Sequence, residues 1–306
     1  MPMEIGMKLR QLHYFLTVVD EGSFTRAAER LFVAQPSLSQ MIKSLEAEMG
    51  GPLLERIPKG VRLTAAGKAF LPEARAAVVH AAAAARNARS VLGLDSGELE
   101  VATVTSIAFG ILPAAFRAWR QRYPGTTIAL REYTDRNALS DAVRLGVGDI
   151  AVGPIPAQWR GPTVELGWEE FVTVLPAADP LAATNRPIEL QDLADRDWVL
   201  FGPGNGLSTL ILDACARAGF TPRKTVQTSQ VAAATPLAAA GLGVALVPSN
   251  VVPKGSDAAI RSLQPPLVRQ LVAYTRQDWP PLADAFLHTL RAQPWSARPS
   301  VADVIP

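Results

Sequence analysis

Residues 32–46 read FVAQPSLSQMIKSLE, and the order of residue types in this stretch decides how the N-terminal third folds. The leading N–H groups of a helix have no intrahelical partner, so a proline at the first helical position costs no hydrogen bond. Pro36 is therefore expected there, with Gln35 at the cap. Leu38, Ile42, Leu45 and Met49 then repeat at helical spacing as an inward stripe. Pro36, Gln40 and Lys43 fall on the opposite side, flanked by Ser37, Ser39 and Ser44. A helix that only packs into a core has no need of amides and hydroxyls gathered on its outer face.

Upstream, KLRQLHYFLTVV places Leu9, Leu12, Leu16 and Val19 on one helical face, and Glu21-Gly22 ends that helix. Ser23 is placed to cap a second helix, whose Phe24, Ala27, Ala28 and Leu31 share a face. Downstream, LLERIPKGVRLT reads as a hairpin turning at Pro58-Lys59-Gly60, with Arg56, Lys59 and Arg62 loading it with positive charge. Thr64 can cap a long Ala-rich helix that runs to about Leu92, and Leu94-Asp95-Ser96-Gly97 reads as a linker. Two short helices, a turn, a third helix with an outward polar face and a basic hairpin make a winged helix-turn-helix. Gln and Ser offer donors and acceptors to base edges, while Lys and Arg neutralise phosphates.

From residue 98 the texture changes. Short apolar runs such as ELEVATV, TIALREY, DIAVGP, WVLFGP and GVALVP alternate with helical stretches, which predicts an α/β fold with mainly parallel sheets. Several runs end in Pro, Gly, Ser or Thr, where such folds place ligand-binding loops.

Composition fits two or three domains in 306 residues. Residues 1–93 carry 12 Lys+Arg against 8 Asp+Glu and the remainder 18 against 20, a basic end on a slightly acidic body. The single cysteine, Cys215, excludes an internal disulfide, and its helical setting predicts a buried small side chain. His13, His80 and His288 lack ligand spacing, so no metal and no cofactor is expected. No basic segment followed by an apolar run opens the chain, which predicts a cytoplasmic protein without a signal peptide. The uncharged stretch 225–253 is interrupted by Pro236, Gly241, Gly243 and Pro248 and reads as helix, turn and strand rather than a membrane span. Gly202–Gly206 lacks the spacing of a phosphate-binding loop, and no G-x-S-x-G or Ser/His/Asp series points to catalysis. Asp149 is expected to fix a turn.

Taken whole, residues 7–68 resemble the DNA-binding end of LysR-type transcriptional regulators. The resemblance rests on G-S-F-T-x-A-A-x-x-L, Q-P-S-L-S-Q-x-I-x-x-L-E and L-x-x-R…L-T-x-A-G. It implies a winged helix-turn-helix over 1–64, a linker and dimerisation helix over 65–93, a hinge over 94–97 and an effector domain over 98–306. It implies double-stranded DNA as partner, with Ser23, Gln35, Pro36, Ser37, Ser39, Gln40, Lys43, Arg56, Lys59 and Arg62 facing it. The sequence leaves open which of these read bases. Ala81, Ala83 and Ala84 would allow two linker helices to approach, giving a homodimer that assembles to a homotetramer, with RNA polymerase as a further partner.

The C-terminal part resembles the family's effector domain, built like a periplasmic binding protein from two α/β lobes. TSIAFGILPAAFRAWRQRYP and LSDAVRLGVGDIAVG carry that resemblance. It implies that the chain crosses between lobes near 165–170 and 265–270. The cleft would be lined by Thr105, Ser106, Ile107, Thr134, Pro154, Phe201, Gly202, Pro203, Asn205 and Thr228, and its ligand would be a small organic effector, with a carboxylate as the candidate chemistry. Some relatives carry a basic residue where Pro154 stands, and its absence argues against a strongly charged ligand. Ser106 either binds that effector or only caps the helix it opens. The reading is a transcription regulator, not an enzyme. Two rivals are a transport receptor, for which the lobes alone would serve, and an α/β enzyme fused to a DNA-binding module.

Overall fold

In the computed structural model, residues 6–58, 60–91, 97–184 and 186–305 are described. They form two compact units, divided after Arg86.

The first unit begins with α1 (Leu9–Glu21), α2 (Phe24–Leu31) and α3 (Gln35–Glu48). Gly22 ends α1 in the left-handed region at φ 59°, a conformation that glycine adopts without steric cost. Ser23 Oγ accepts from the Arg26 amide and caps α2. Leu12, Phe15, Val18, Ala27, Leu38, Ile42 and Leu45 meet in one apolar core. Leu9 and Met49, expected on the inward stripes, are exposed instead, because Leu9 opens its helix and Met49 lies one residue beyond the end of α3. The cap of α3 is Ala34 rather than Gln35, so Pro36 stands at the second helical position. That position also has an unpaired N–H to lose.

β1 (Leu54–Ile57) and β2 (Gly60–Leu63) pair antiparallel as the expected hairpin. Lys59 lies outside the described residues. Glu46 Oε1 accepts from the amides of Leu53 (2.9 Å) and Leu54 (3.0 Å), tying the end of α3 to the start of the hairpin. Thr64 Oγ1 accepts from the Gly67 amide at 3.0 Å and so caps α4 (Ala65–Val91). Along α4, Ala81 and Ala83 are half-buried and Ala84 is exposed. The hinge expected over 94–97 lies outside the described residues apart from Gly97.

The second unit has two lobes. The first contains β3 (Glu98–Val104), β4 (Thr127–Tyr133), β5 (Ile150–Pro154), α5 (Thr105–Gly110), α6 (Leu112–Arg122), α7 (Arg136–Arg144) and α10 (Pro281–Arg291). The second contains β7 (Asp197–Phe201), β8 (Arg223–Thr228), β9 (Ala245–Pro248), α8 (Gly206–Arg217) and α9 (Val231–Ala239). Two long strands, β6 (Thr163–Leu175) and β10 (Ala259–Tyr274), run through both. Val164 and Leu271 pack in the first apolar core, Phe171 and Leu267 in the second. A two-residue strand, β11 (Asp303–Val304), pairs with β10.

The sheets are mixed rather than mainly parallel. β3 lies parallel to β4 and β5, and β7 to β8, but β10 is antiparallel to β5 and β6, and β6 to β9. The two strands shared by the lobes run in opposite directions, so each lobe receives one antiparallel pair at its centre. Asp149 fixes a junction between strands: its Oδ2 accepts from the Glu100 amide at 2.9 Å, and its own amide donates to the Glu100 carbonyl at 2.7 Å. The stretch 225–253 folds as the end of β8, α9, a turn and β9. No helix among the described residues is long and apolar enough to cross a membrane.

Candidate nucleic-acid interface and effector cleft

On α3, Pro36, Ser37, Gln40 and Lys43 are exposed, as expected of a face presented to an outside partner. Ser39 is half-buried and accepts twice, from Gln35 Nε2 at 2.9 Å and from Arg56 Nη2 at 3.1 Å. Its remaining hydrogen is therefore free to donate. The Arg56 guanidinium also lies over the Phe24 ring, 4.6 Å from its centroid. The hairpin thus comes to α3 through a cation held on both sides. Arg62 pairs with Glu55 across the hairpin at 2.8 Å, with both side chains exposed. Ser23 is spent as the cap of α2.

Between the lobes lies a cleft of about 440 Å³, within the size range of small-molecule sites. Of the expected residues, Thr105, Ser106, Thr134, Pro154 and Asn205 line it. Ile107 and Phe201 do not, since both are buried in the apolar cores. Gly202, Pro203 and Thr228 also stand away from the lining. Gly202 donates its amide to the Thr228 carbonyl at 2.9 Å, and Thr228 Oγ1 accepts from the Gln230 amide at 3.0 Å. The loop reaches the cleft only from Gly204 onward.

Ser106 does not cap its helix. Val104 holds that position, and α5 stops at Gly110 before α6 begins at Leu112. An added Cβ at Gly110 would meet Asn250 Oδ1 at 2.2 Å, so the chain passes Asn250 closely where the two helices part. Ser106 Oγ accepts instead from Arg269 Nη2 at 3.0 Å.

Arg269, on β10, is the lining residue that the sequence reading missed. Its side chain is 6% exposed and pairs through Nε with Glu169 Oε2. Glu169, whose side chain is fully buried, faces it in register on β6, and its Oε1 accepts from Asn250 Nδ2. The Phe171 ring lies 5.3 Å from the guanidinium carbon. A basic group is therefore present although Pro154 supplies none, which removes the argument against a charged ligand. Arg136 and Arg217 add charge to the lining, against Asp135 and Asp213. Asp135 is occupied as the cap of α7, and Arg217 pairs with Asp303 at 3.3 Å.

No group of His, Cys, Asp and Glu among the described residues is arranged to hold a metal ion. Cys215 is buried in the second lobe, and burial pushes its thiol up to about 12.

An exposed polar recognition helix beside a basic hairpin, joined in one chain to a bilobed domain with a cleft, defines a ligand-responsive DNA-binding protein. The chain belongs to the LysR family of bacterial regulators. Residues 9–68 match the family described as the bacterial regulatory helix-turn-helix protein, lysR family, and residues 92–295 match the LysR substrate binding domain. The chain is similar to the transcriptional regulator AlsR of Bacillus subtilis, at 30% identity over 94% of this chain and 96% of that one. It is also similar to BudR of Raoultella terrigena, at 32% identity over 94% of each. Among solved structures it resembles the LysR family regulator CbnR, with TM-score 0.71 and 26% identity over 93% of this chain and 98% of that one. A second structure, full-length CbnR in complex with its target DNA, matches with TM-score 0.69 and 26% identity over 93% and 99% of the two chains.

Proposed function

We propose that the chain is a cytoplasmic regulator without enzymatic activity. It binds its operator as a dimer of dimers through α3 and the hairpin, and responds to a small carboxylate held between the lobes. The observation that carries the reading is the exposed row Ser37, Gln40 and Lys43, beside a Ser39 and Arg56 already fixed to each other. Base edges are read by such amides and hydroxyls, and phosphates by the flanking cations. Ala81, Ala83 and Ala84 on α4 have small side chains that would let the helix of a second copy approach closely. Closure of the lobes on an effector would alter how the paired heads bend DNA and meet RNA polymerase.

Footprinting on the DNA upstream of the chain's own gene, with and without a panel of small organic acids, tests this. Protection of two adjacent segments, with an edge that shifts when an acid is added, is the expected result. Uniform protection of any duplex, unchanged by every acid, would contradict it.

A further inference from the structure

We infer that Arg269 is the charge-recognition residue of the effector cleft, and that it makes the site select carboxylates over neutral ligands of the same shape. The inference rests on the cleft being the effector site and goes beyond it in naming the residue and the selectivity.

The cleft holds a buried guanidinium whose bonds to protein are only partly used. Nε is spent on Glu169 and one Nη2 hydrogen on Ser106, while Nη1 has no partner among the described residues. Two hydrogens of Nη1 and one of Nη2 therefore remain on a side chain that lines the cleft. Three hydrogens on the two terminal nitrogens are enough donors for both oxygens of a carboxylate. Ser106, accepting from Arg269, keeps its own hydrogen to donate to the same ligand. A primary amide of equal size would set its NH2 against these donors and leave some of them unpaired, which is how a polar site rejects an isostere.

Glu169 makes the arrangement tolerable before the ligand arrives. A lone buried cation is costly, and the pair is neutral. Both carboxylate oxygens of Glu169 are occupied, by Asn250 and by Arg269, so it cannot turn away to leave Arg269 free. Asn250 belongs to the 3-10 turn Ser249–Val251 that follows β9, and Ser106 to α5. The chain Asn250–Glu169–Arg269–Ser106 thus passes from the second lobe through both shared strands to the first. A ligand on Arg269 would therefore bear on both strands that the lobes share.

The test is calorimetric titration of the full chain with monocarboxylates from acetate to benzoate, each beside its primary amide. The parent should prefer at least one acid over its amide by tenfold or more. Glu169→Gln, which leaves Arg269 in place, should keep that preference. In the double variant Arg269→Met with Glu169→Gln, no buried carboxylate is left unpaired, and the preference should fall below twofold. A structural role alone would weaken acid and amide together and leave their ratio unchanged. An unchanged ratio in a double variant that unfolds at the parent's temperature overturns the inference. So does a parent that binds only amides, or nothing in the panel. The footprint of the untreated protein on DNA does not depend on this panel and stands or falls separately.

Discussion

The backbone amide of Gly206 donates to the carbonyl of Thr134 at 2.9 Å, joining the start of α8 in the second lobe to the end of β4 in the first. The close approach is eased by glycine at residue 206. An added Cβ would stand 3.0 Å from both Cα and Cβ of Asp135. The lobes therefore meet backbone to backbone along one rim of the cleft.

Gly206→Ala should hold that rim apart. Overpacking of this kind costs about 1–3 kcal/mol, and here the cost falls on the rim contact. Hydrogen exchange at residue 206 should speed up relative to the parent, with the exchange of β3 and β7 unchanged. Equal protection at this amide in both proteins would show that the rim contact does not depend on the glycine.

Glu46→Ala removes the acceptor for two amides at the start of the hairpin, those of the buried Leu53 and Leu54. Loss of one such partner costs about 1–3 kcal/mol. Thermal unfolding of the DNA-binding unit should move down accordingly. An unchanged midpoint would mean that water replaces the carboxylate without cost.

Arg62→Ala should weaken binding to all duplexes alike and reduce the salt dependence by about one ion. Glu55→Ala should do the opposite at low salt, since Glu55 is the residue that holds Arg62 in the free hairpin. Anisotropy titrations across a salt series read both. A loss confined to one sequence in Arg62→Ala would assign it to base reading instead.

Burial raises the Cys215 thiol to about 12, so at pH 8 the reactive thiolate is almost absent from the folded chain. Iodoacetamide should leave Cys215 unmodified in the native protein and alkylate it fully in denaturant, as mass spectrometry would record. Rapid alkylation of the native chain would place the thiol at the surface.

Glutamate at Ala83 would put a charge into or beside the proposed seam between linker helices, and Ala81→Glu and Ala84→Glu test neighbouring registers. Light scattering should find smaller species for at least one. If all three retain the parent's mass, α4 does not mediate pairing.

The exposed polar face of α3 was legible because its signals are local. Pro36, Ser37, Gln40 and Lys43 lie within two helical turns, and helical periodicity alone sorts them to the side away from the core. The effector cleft was legible only in part. Ser106, Thr134 and Asn205 stand where strands run into helices, a place with a local signature. Arg269 carries none. It lies inside a 16-residue strand, and its partner Glu169 lies 100 residues away. Only the register of β6 against β10 brings them together. Phe201 and Thr228 failed as lining residues for a related reason: they are the last residues of β7 and β8 and face each other in register there.

The most direct test of the account compares the parent with Gln40→Ala on one duplex selected by the parent from a random pool and on one unselected duplex. Gln40 is exposed on α3 and is not needed for its packing. If it reads a base, the variant should lose about 1–3 kcal/mol on the selected duplex and almost nothing on the other, with unchanged thermal unfolding. Equal losses on both duplexes, or none on either, would contradict the claim that this face of α3 recognises DNA sequence.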